Sequence, residues 1–253
     1  MTKNLLDLSG MHIFVAGGSR GIGAAAARMA GGAGANVSLT YQSNRDAAEK
    51  TADTIPNSII VQADVSDKAS ISNAISTAES KFGPLHGLVV SAGIFEGCPL
   101  EEMSEEFWDR TLDTNLKGTF LAVQAAVRSM RKRADRGGSI VIYTSTAGQR
   151  GSAIYSAYAT SKGAQIMFMR SMALELAPDQ IRVNCIAPAW TETDMAAPSL
   201  DKLGRDQLAA NVPLGRIGLP EDVAGATCYL LSDLSQFVTG MTLTVDGGAD
   251  MRG

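Results

Sequence analysis

The sequence has 253 residues, a length that suits one large α/β domain, and its 45% hydrophobic and 19% charged residues are ordinary for a globular protein. Its net charge of −4 gives no basic field for nucleic acid, and its longest apolar runs fall well short of the ~20 residues that a membrane span requires. Cys98, Cys185 and Cys228 match neither a disulfide framework nor a zinc-ligand spacing. We therefore expect a cytoplasmic protein with no metal, nucleic-acid or membrane partner.

Short β-rich runs alternate with longer helical patterns along the chain. Strands are predicted over 12–17, 36–41, 58–63, 87–93, 139–145, 181–187 and 242–246. Helices are predicted over 21–33, 66–82, 104–133, 156–177 and 220–231. Most of the strands are continuously apolar, as expected for strands that are covered on both faces. The alternation predicts one α/β domain, residues 1–253, with a doubly wound parallel seven-stranded sheet and helices on both faces.

A glycine-rich turn, AGGSRGIG, follows the first predicted strand and opens the first predicted helix. Glycines there would allow a tight turn and the close approach of a pyrophosphate, and the helix N-terminus would add free N–H groups. Such a turn is weak evidence by itself, but its place between a strand and a helix is typical of a dinucleotide-binding Rossmann fold. The residues expected around the cofactor here are Gly17, Ser19, Arg20, Gly21, Ile22 and Gly23.

The end of the second strand bears on the choice of nucleotide. Cofactors with a free adenosine ribose usually meet an acid there, whereas LTYQSNR has Tyr41 at that position. Arg20, Ser43, Asn44 and Arg45 could instead hold a 2′-phosphate, although the two arginines could also be solvated surface cations. We expect NADP(H), with NAD(H) as the alternative.

Tyr158, Lys162 and Ser145 form a candidate acid/base set. Tyr158 and Lys162 are four apart on a predicted helix, so their side chains share one face. The pKa of a tyrosine is near 10, and an ammonium about 4 Å away would lower it by roughly 3 units. Ser145 ends the preceding predicted strand, where its hydroxyl could hydrogen-bond a substrate oxygen. The set suits proton exchange with a carbonyl or an alcohol.

A series of motifs, in order and at matching separations, carries a family resemblance: AGGSRGIG, SAG (91–93), NLKG (115–118), STAG (145–148), YATSK (158–162) and GRIGLPEDVA (215–224). With these motifs the chain resembles, nearly end to end, the short branch of the short-chain dehydrogenase/reductase family, and most closely its 3-oxoacyl-[acyl-carrier-protein] reductase-like group. The resemblance implies hydride transfer between a nicotinamide cofactor and a small-molecule ketone or secondary alcohol.

The resemblance implies roles for single residues. Tyr158 resembles the acid/base, and Lys162 resembles the residue that lowers its pKa and binds the nicotinamide ribose. Ser145 resembles the substrate-orienting hydroxyl, and Asn115 the asparagine that holds a water in a proton relay to the lysine.

Further cofactor contacts are implied at both ends of the nucleotide. Asp64 resembles the aspartate that contacts adenine, and Thr193 the threonine that grips the nicotinamide carboxamide with help from the backbone around Pro188 and Thr191. The remaining expected cofactor residues are Val65, Ser91, Ala92 and Gly93.

Tyr155 presents a competing pattern. A divergent enoyl-reductase branch of the same family uses Tyr-x6-Lys, and Tyr155 stands seven residues before Lys162. The intact glycine turn and the register of Ser145 with Tyr158 favour Tyr158 as the acid/base. Tyr155 is then expected to line the substrate cleft or to pack beside it, together with Phe95 and Trp190.

Three positions depart from the family pattern. Ala16 replaces a threonine, Ser91 an asparagine and Ala189 a glycine. The first two changes remove hydrogen-bonding capacity that normally braces the central sheet. They put local rigidity and cofactor affinity in question but leave the acid/base set intact.

A substrate lid is predicted over about 190–212, where apolar residues could cover either a substrate or simply the sheet. An acyl carrier protein is an option that we do not favour as a partner. The chain has a basic run, but such runs are more often solvated helix ends, and Asp179 stands where a basic residue would help. The run comprises Arg128, Arg131, Lys132, Arg133 and Arg136.

The resemblance also implies a homotetramer that pairs through helices 104–133 and 156–177 and through the C-terminal strand. The favoured function is NADP(H)-dependent reduction of a ketone, either free or as a 3-oxoacyl thioester, and its reverse. The alternatives are an NAD-dependent secondary-alcohol or sugar dehydrogenase and, in another class, a non-catalytic regulator that senses nucleotides.

Overall fold

A parallel seven-stranded sheet forms the centre of the computed structural model, which describes residues 6–135 and 137–251. The strands are β1 (His12–Ala16), β2 (Asn36–Tyr41), β3 (Ser58–Gln62), β4 (Gly87–Val90), β5 (Gly138–Tyr143), β6 (Ile181–Pro188) and β7 (Thr242–Val245). They lie in the order β3-β2-β1-β4-β5-β6-β7, and every neighbouring pair is parallel. The predicted doubly wound sheet is confirmed.

Helices cover both faces of this sheet. They are α1 (Gly21–Gly32), α2 (Arg45–Ala52), α3 (Lys68–Phe82), α4 (Glu105–Leu112), α5 (Gly118–Met130), α6 (Thr146–Arg150), α7 (Ser156–Leu176), α8 (Ala197–Leu203), α9 (Arg205–Ala210) and α10 (Pro220–Leu231). Successive strand residues point to opposite faces. Phe14 and Leu88 therefore pack in the core with α3, α5 and α7, whereas Val15 and Val89 pack in the core with α1, α2 and α10. Among the described helices, none is long and apolar enough to span a membrane.

The strand order changes direction between β1 and β4. From β1 the chain proceeds outward to β2 and β3, and it then returns to add β4 on the other side of β1. In an open parallel sheet, such a point leaves a crevice outside the carboxyl ends of the strands. The glycine-rich turn after β1 and the SAG segment after β4 both lie at this crevice.

Helical backbone runs through most of the predicted segment 104–133, from Glu105 to Met130, but an irregularity that we did not predict interrupts it. Helices α4 and α5 are separated by a π-helical turn, Asp113–Lys117, with the buried Asn115 at its centre. The side chain of Asn115 binds both backbone groups of Ile94, accepting from its N–H at 2.8 Å and donating to its carbonyl at 3.0 Å. A hydrophobic periodicity carries no sign of this side-chain-to-backbone contact, so it predicted one helix.

Candidate active site

A cleft of about 890 Å³ opens at the carboxyl edge of the sheet. Its volume lies in the ~300–1,000 Å³ range of sites that bind small molecules and cofactors. Residues from the ends of β1, β2, β4, β5 and β6 line it, together with the segment that leads into α8. Most of the predicted site residues therefore meet in one place although they are far apart in the sequence.

The glycine-rich turn forms one wall of the cleft. Gly17 and Gly21 have φ angles of 83° and 57°, in the left-handed region that favours glycine. A Cβ on Gly17 would lie 2.6 Å from the nitrogen of Ala92, and one on Gly23 would lie 2.1 Å from the carbonyl oxygen of Gly17. Helix α1 begins at Gly21 with no side chain capping its N–H groups. This bare backbone with free donors fits the pyrophosphate of a dinucleotide.

The side chain that braces the turn belongs to β2, because Ala16, which departs from the family pattern, has no hydroxyl. The hydroxyl of Thr40 accepts from the N–H of Gly17 at 2.9 Å. The carbonyl oxygen of Ala16 accepts from the N–H groups of both Ser91 and Ala92, at 2.9 and 2.8 Å. Thr40 thus supplies a hydroxyl that Ala16 lacks, and the turn is held to two neighbouring strands.

Tyr41, Ser43 and Asn44 line the cleft at the end of β2, where the adenosine was predicted to lie. Arg20 also lines it, is exposed and makes no ion pair within the described ranges. Arg45 is different, because its guanidinium pairs with Glu49 at 2.7 Å and is not part of the cleft wall. The cleft geometry gives the predicted contact between Arg45 and a 2′-phosphate no support, and that contact stays a prediction.

Asp64 and Val65, after β3, lie in the cleft wall where an adenine ring would pack. The carboxylate of Asp64 accepts from the backbone N–H and the hydroxyl of Ser66, at 2.9 and 2.6 Å, and from the side-chain amide of Gln42 at 3.0 Å. These hydrogen bonds, first of all that from the Ser66 hydroxyl, hold the pKa of Asp64 below its usual value. The carboxylate therefore stays charged and fixed in orientation.

Ser145, Tyr158 and Lys162 come together deep in the cleft. Ser145 caps α6, and the other two project from the first turns of α7. The ammonium of Lys162 lies 5.6 Å from the centre of the Tyr158 ring and donates to the carbonyl oxygen of Tyr143 at 2.8 Å. The spacing of four residues on one helix, read from the sequence, produces this common face.

Burial dominates the titration of both α7 side chains. It raises the pKa of Tyr158 to about 12, and a hydrogen bond with Ser145 opposes the rise. It lowers the pKa of Lys162 to about 8. Loss of hydration thus moves the pKa of Tyr158 away from neutrality, and the lowering by Lys162 that the resemblance implies stays a prediction.

Asn115 is fully engaged within the protein. Besides its two bonds to Ile94, its amide donates to the hydroxyl of Ser161 at 3.1 Å. The backbone carbonyl oxygen of Asn115 accepts from the hydroxyl of Thr119 at 2.6 Å and from the side-chain amide of Gln165 at 2.8 Å. Whether Asn115 also holds a relay water, as the resemblance implies, stays a prediction.

Gln165 is a site-supporting residue that our reading of the sequence missed. Its side-chain amide donates to Asn115 and, at 2.6 Å, to the hydroxyl of Thr119. It is fully buried and stands seven residues after Tyr158 and three after Lys162, on the same face of α7. Its spacing from Tyr158 and Lys162, which puts a polar side chain on their face of the helix, was the sign in the sequence that could have identified it.

Aromatic side chains form the substrate end of the cleft. Phe95 and Trp190 line it, with 5.9 Å between ring centres, and Phe95 lies edge-on to Tyr158 at 4.9 Å. Tyr155 does not belong to the wall itself. Its ring stacks on Phe95 at 4.6 Å with an interplanar angle of 5°, so it packs beside the cleft, one of the two outcomes expected.

Pro188, Thr191 and Thr193 lie where the nicotinamide was expected, on the segment after β6. Thr193 faces the glycine turn across the cleft, since a Cβ on Gly21 would lie 3.4 Å from its methyl group. The hydroxyl of Thr191 donates to the carbonyl of Ala189 at 3.1 Å, which stabilises the chain as it leaves the sheet.

Charged residues at the cleft mouth were not anticipated. Arg110 pairs with Glu96 and Arg216 with Asp222, each through both guanidinium nitrogens, while Arg150 lies 3.7 Å from Asp250. Two of these pairs, Arg110 with Glu96 and Arg150 with Asp250, join well-separated parts of the chain, so sequence spacing gives no sign of them. Within 6–135 and 137–251, no group of three or more His, Cys, Asp or Glu side chains is placed to hold a metal ion.

Comparison with known proteins gives matches along almost the whole chain. A family model described as "Enoyl-(Acyl carrier protein) reductase" matches residues 16–250. A "3-oxoacyl-[acyl-carrier-protein] reductase FabG" from Chlamydia muridarum is 37% identical over 238 residues, which cover 92% of this chain and 95% of that protein. An "L-rhamnose 1-dehydrogenase (NAD(P)(+))" from Azotobacter vinelandii is 36% identical over 247 residues, which cover 93% and 95%.

A solved structure shows the same architecture. The crystal structure of "Short-chain dehydrogenase/reductase SDR:Glucose/ribitol dehydrogenase" from Brucella melitensis superposes with a TM-score of 0.91 at 32% sequence identity. The match covers 97% of this chain and 99% of that one. The sheet and the surrounding helices thus follow one common plan in both proteins.

Proposed function

Because this chain belongs to the short-chain dehydrogenase/reductase family of oxidoreductases, which act on CH–OH and C=O groups, we propose that it reduces a ketone with NADP(H). The reaction is reversible in principle, so the same residues would oxidise the corresponding secondary alcohol. The cleft carries a cofactor wall at one end and an aromatic wall at the other, with Tyr158 between them.

The position of Tyr158, between the cofactor wall and the aromatic wall of the cleft, carries this proposal. With a pKa near 12, its hydroxyl keeps its proton at neutral pH and is a donor to a carbonyl oxygen. Ser145, which bonds the same hydroxyl, would hold that oxygen as negative charge develops on it. In the reverse direction the same side chain would take the proton from the alcohol as base.

The residues of the cleft fit a nicotinamide dinucleotide. The turn from Gly17 to Gly23 and the uncapped start of α1 would hold the pyrophosphate, and Thr193 and Lys162 would hold the nicotinamide carboxamide and ribose. The nicotinamide supplies the hydride when the cofactor is bound. Lys162, with a pKa near 8, would return a proton to Tyr158 after each turnover, and Asn115 keeps the surrounding backbone in place.

The test is turnover followed by absorbance at the nicotinamide band, with β-ketoesters, a 3-oxoacyl thioester, cyclic ketones and keto-sugars as substrates. We expect Tyr158→Phe to lower kcat by about 10²–10⁴-fold, because the variant has no proton to donate. Tyr229→Phe, on α10, is the matched control and should retain activity. A Tyr158→Phe enzyme as active as the parent would refute the role of Tyr158.

Preference for NADP(H) is argued from Arg20. It is a cleft arginine without an ion pair in the described part of the chain, beside Ser43 and Asn44. We expect Arg20→Ala to raise KM for NADPH about 10-fold or more and to leave KM for NADH nearly unchanged, since a charge-assisted bond to a phosphate is lost. Arg45→Ala is the control, because Arg45 already pairs with Glu49. A parent enzyme that prefers NADH would overturn this choice of cofactor.

An NAD-dependent alcohol or sugar dehydrogenase is the second candidate. It is favoured by the resemblance to a relative named as an L-rhamnose 1-dehydrogenase that uses NAD(P)+. The charged mouth of the cleft also offers donors and acceptors to hydroxyl groups. Oxidation of sugars by NAD+ should therefore be measured in the same panel. Nucleotide binding with no turnover of any substrate would favour the regulator.

An acyl carrier protein is an option that relatives named 3-oxoacyl-[acyl-carrier-protein] reductase suggest, but we do not favour it as the partner. Three cations of the basic run are already paired within the chain: Arg131 with Asp179, Lys132 with Glu79 and Arg133 with Asp135. Little positive charge is left for an acidic carrier. Arg128 is exposed, and Arg136 lies outside the described residues.

We also propose that the chain assembles as a homotetramer. Exposed apolar side chains on α5 and α7 support this, namely Phe120, Met167 and Leu174, as does the fully exposed Phe237 just before β7. Such surfaces are typical of contacts between subunits. The mass in solution, measured by light scattering, tests the proposal.

A further inference from the structure

Tyr155, which the proposed chemistry leaves unused, contacts two other parts of the substrate end of the cleft. It immediately precedes α7, the helix that carries Tyr158. Its ring stacks on Phe95, in the loop after β4. Its hydroxyl lies 3.2 Å from the hydroxyl of Ser199, on α8. One side chain thus joins the catalytic helix, the aromatic wall and the lid.

The backbone before Tyr155 holds its ring in place. Ile154 has a φ of 61°, a conformation that a β-branched residue rarely adopts. Its carbonyl oxygen accepts from the N–H of Cys98 at 2.7 Å. A Cβ on Gly97 would lie 2.9 Å from the Tyr155 ring, so the two loops are in close contact. The ring therefore has little room to turn away from Phe95.

Helix α8 lies within the segment 190–212 that was predicted to be the lid, directly after residues that line the cleft. Leu200 is fully buried and anchors the inner side of the helix, whereas Met195, just before it, lines the cleft and is exposed. Ser199 precedes Leu200 and meets Tyr155 across a partly buried contact. Ser199 belongs to α8, and Tyr155 belongs to the turn that leads into α7. Their hydrogen bond would therefore have to break for α8 to move away from the cleft.

We propose that Tyr155 is a positioning residue that latches α8 over the substrate through Ser199 while its ring keeps Phe95 beside Tyr158. The hydroxyl of Tyr155 holds α8, and its ring holds Phe95 in the aromatic wall. Only the kinetic consequence of the latch rests on the proposed function. The mechanical consequence, a lid that opens more often without the hydrogen bond, is independent of the reaction.

The first test is hydrogen exchange of the backbone amides in 197–210. We expect Tyr155→Phe and Ser199→Ala each to speed exchange there by about fivefold, the weight of one ordinary hydrogen bond. The double variant should exchange no faster than either single one, because both remove the same contact. Tyr229→Phe, the control, should leave the segment unchanged. Unchanged exchange in both single variants, or additive effects in the double one, would overturn the latch.

The second test is steady-state kinetics on a ketone that the parent enzyme reduces. Both variants should raise KM for the ketone about fivefold, with the pH profile of kcat unchanged, because the acid/base pair is untouched. Loss of kcat in Tyr155→Phe alone would overturn the proposal and mark Tyr155 as the acid/base. Failure of the proposed function is distinguishable, since the parent would then turn over no ketone while lid exchange still reported on the latch.

Discussion

At the scale of single residues, Tyr158 and Lys162 both lose hydration in the cleft, and the loss moves their pKa values in opposite directions. Burial disfavours the charged form of each, so the phenol titrates near 12 and the ammonium near 8. An attraction between phenolate and ammonium would act against both shifts. The ammonium lies 5.6 Å from the ring centre. Desolvation prevails.

Two glycines of α1 give opposite expectations for the same substitution. A Cβ on Gly23 would lie 2.1 Å from the carbonyl oxygen of Gly17 and 2.7 Å from the hydroxyl of Ser91. A Cβ on Gly32 meets nothing within 4 Å. We expect Gly23→Ala to displace the cofactor wall and abolish NADPH binding, whereas Gly32→Ala should stabilise the fold by about 0.5–1 kcal/mol. Isothermal titration and urea unfolding measure the two effects, and NADPH bound normally by Gly23→Ala would contradict the first.

At the scale of elements, the π-helical turn between α4 and α5 is the feature that the site depends on. It places Asn115 where its amide satisfies both backbone groups of Ile94, directly after the SAG segment. Thr119, on α5, and Gln165, on α7, then donate hydrogen bonds to the backbone carbonyl oxygen of Asn115. Single π-turns of this kind are frequent at functional sites. Here the turn connects the helix that carries the acid/base to a loop that lines the cleft.

Replacing Asn115 should therefore loosen this connection. We expect Asn115→Ala to lower the free energy of unfolding by about 2 kcal/mol, because the N–H and C=O of Ile94 lose their buried partners. Asn73→Ala, at an exposed position of α3, is the control and should change stability by under about 0.5 kcal/mol. Urea unfolding compares the two. Equal stabilities would mean that the amide does not hold the turn.

At the scale of the whole molecule, two hydrophobic cores pack on opposite faces of one sheet, and the side chain of His12 connects elements at the start of β1. The ring of His12, fully buried at the start of β1, lies 2.7 Å from the carbonyl oxygen of Gly83 and 2.9 Å from the hydroxyl of Ser38. It thereby ties β1 to β2 and to the loop after α3. Burial lowers its pKa below the usual 6.5, and the hydrogen bond to Gly83 opposes the shift.

This lowered pKa makes stability depend on pH. Between the folded pKa and 6.5 the unfolded chain binds more protons, so the contribution of His12 is complete above 6.5 and is lost as the pH falls below it. We expect His12→Gln to flatten the fall in unfolding free energy between about pH 8 and about pH 5. Urea unfolding across that range is the measurement.

His86 provides a check on that prediction. Burial, together with the charge of Arg133, also lowers the pKa of His86. His86 therefore makes stability fall with falling pH as His12 does, and part of this pH dependence should persist in His12→Gln. His86→Gln should flatten the same range. An unaltered slope in His12→Gln would show that His12 is not the group responsible.

The sequence by itself determined the order of strands and helices, the glycine turn and the grouping of Ser145 with Tyr158 and Lys162. These features depend on periodicity and on spacing within one element or one turn, which neighbours in the chain decide. Only the tertiary structure showed that burial raises the pKa of Tyr158 and that Tyr155 meets Ser199. Each of these depends on burial or on a contact within the folded chain, and neither can be read from residue spacing.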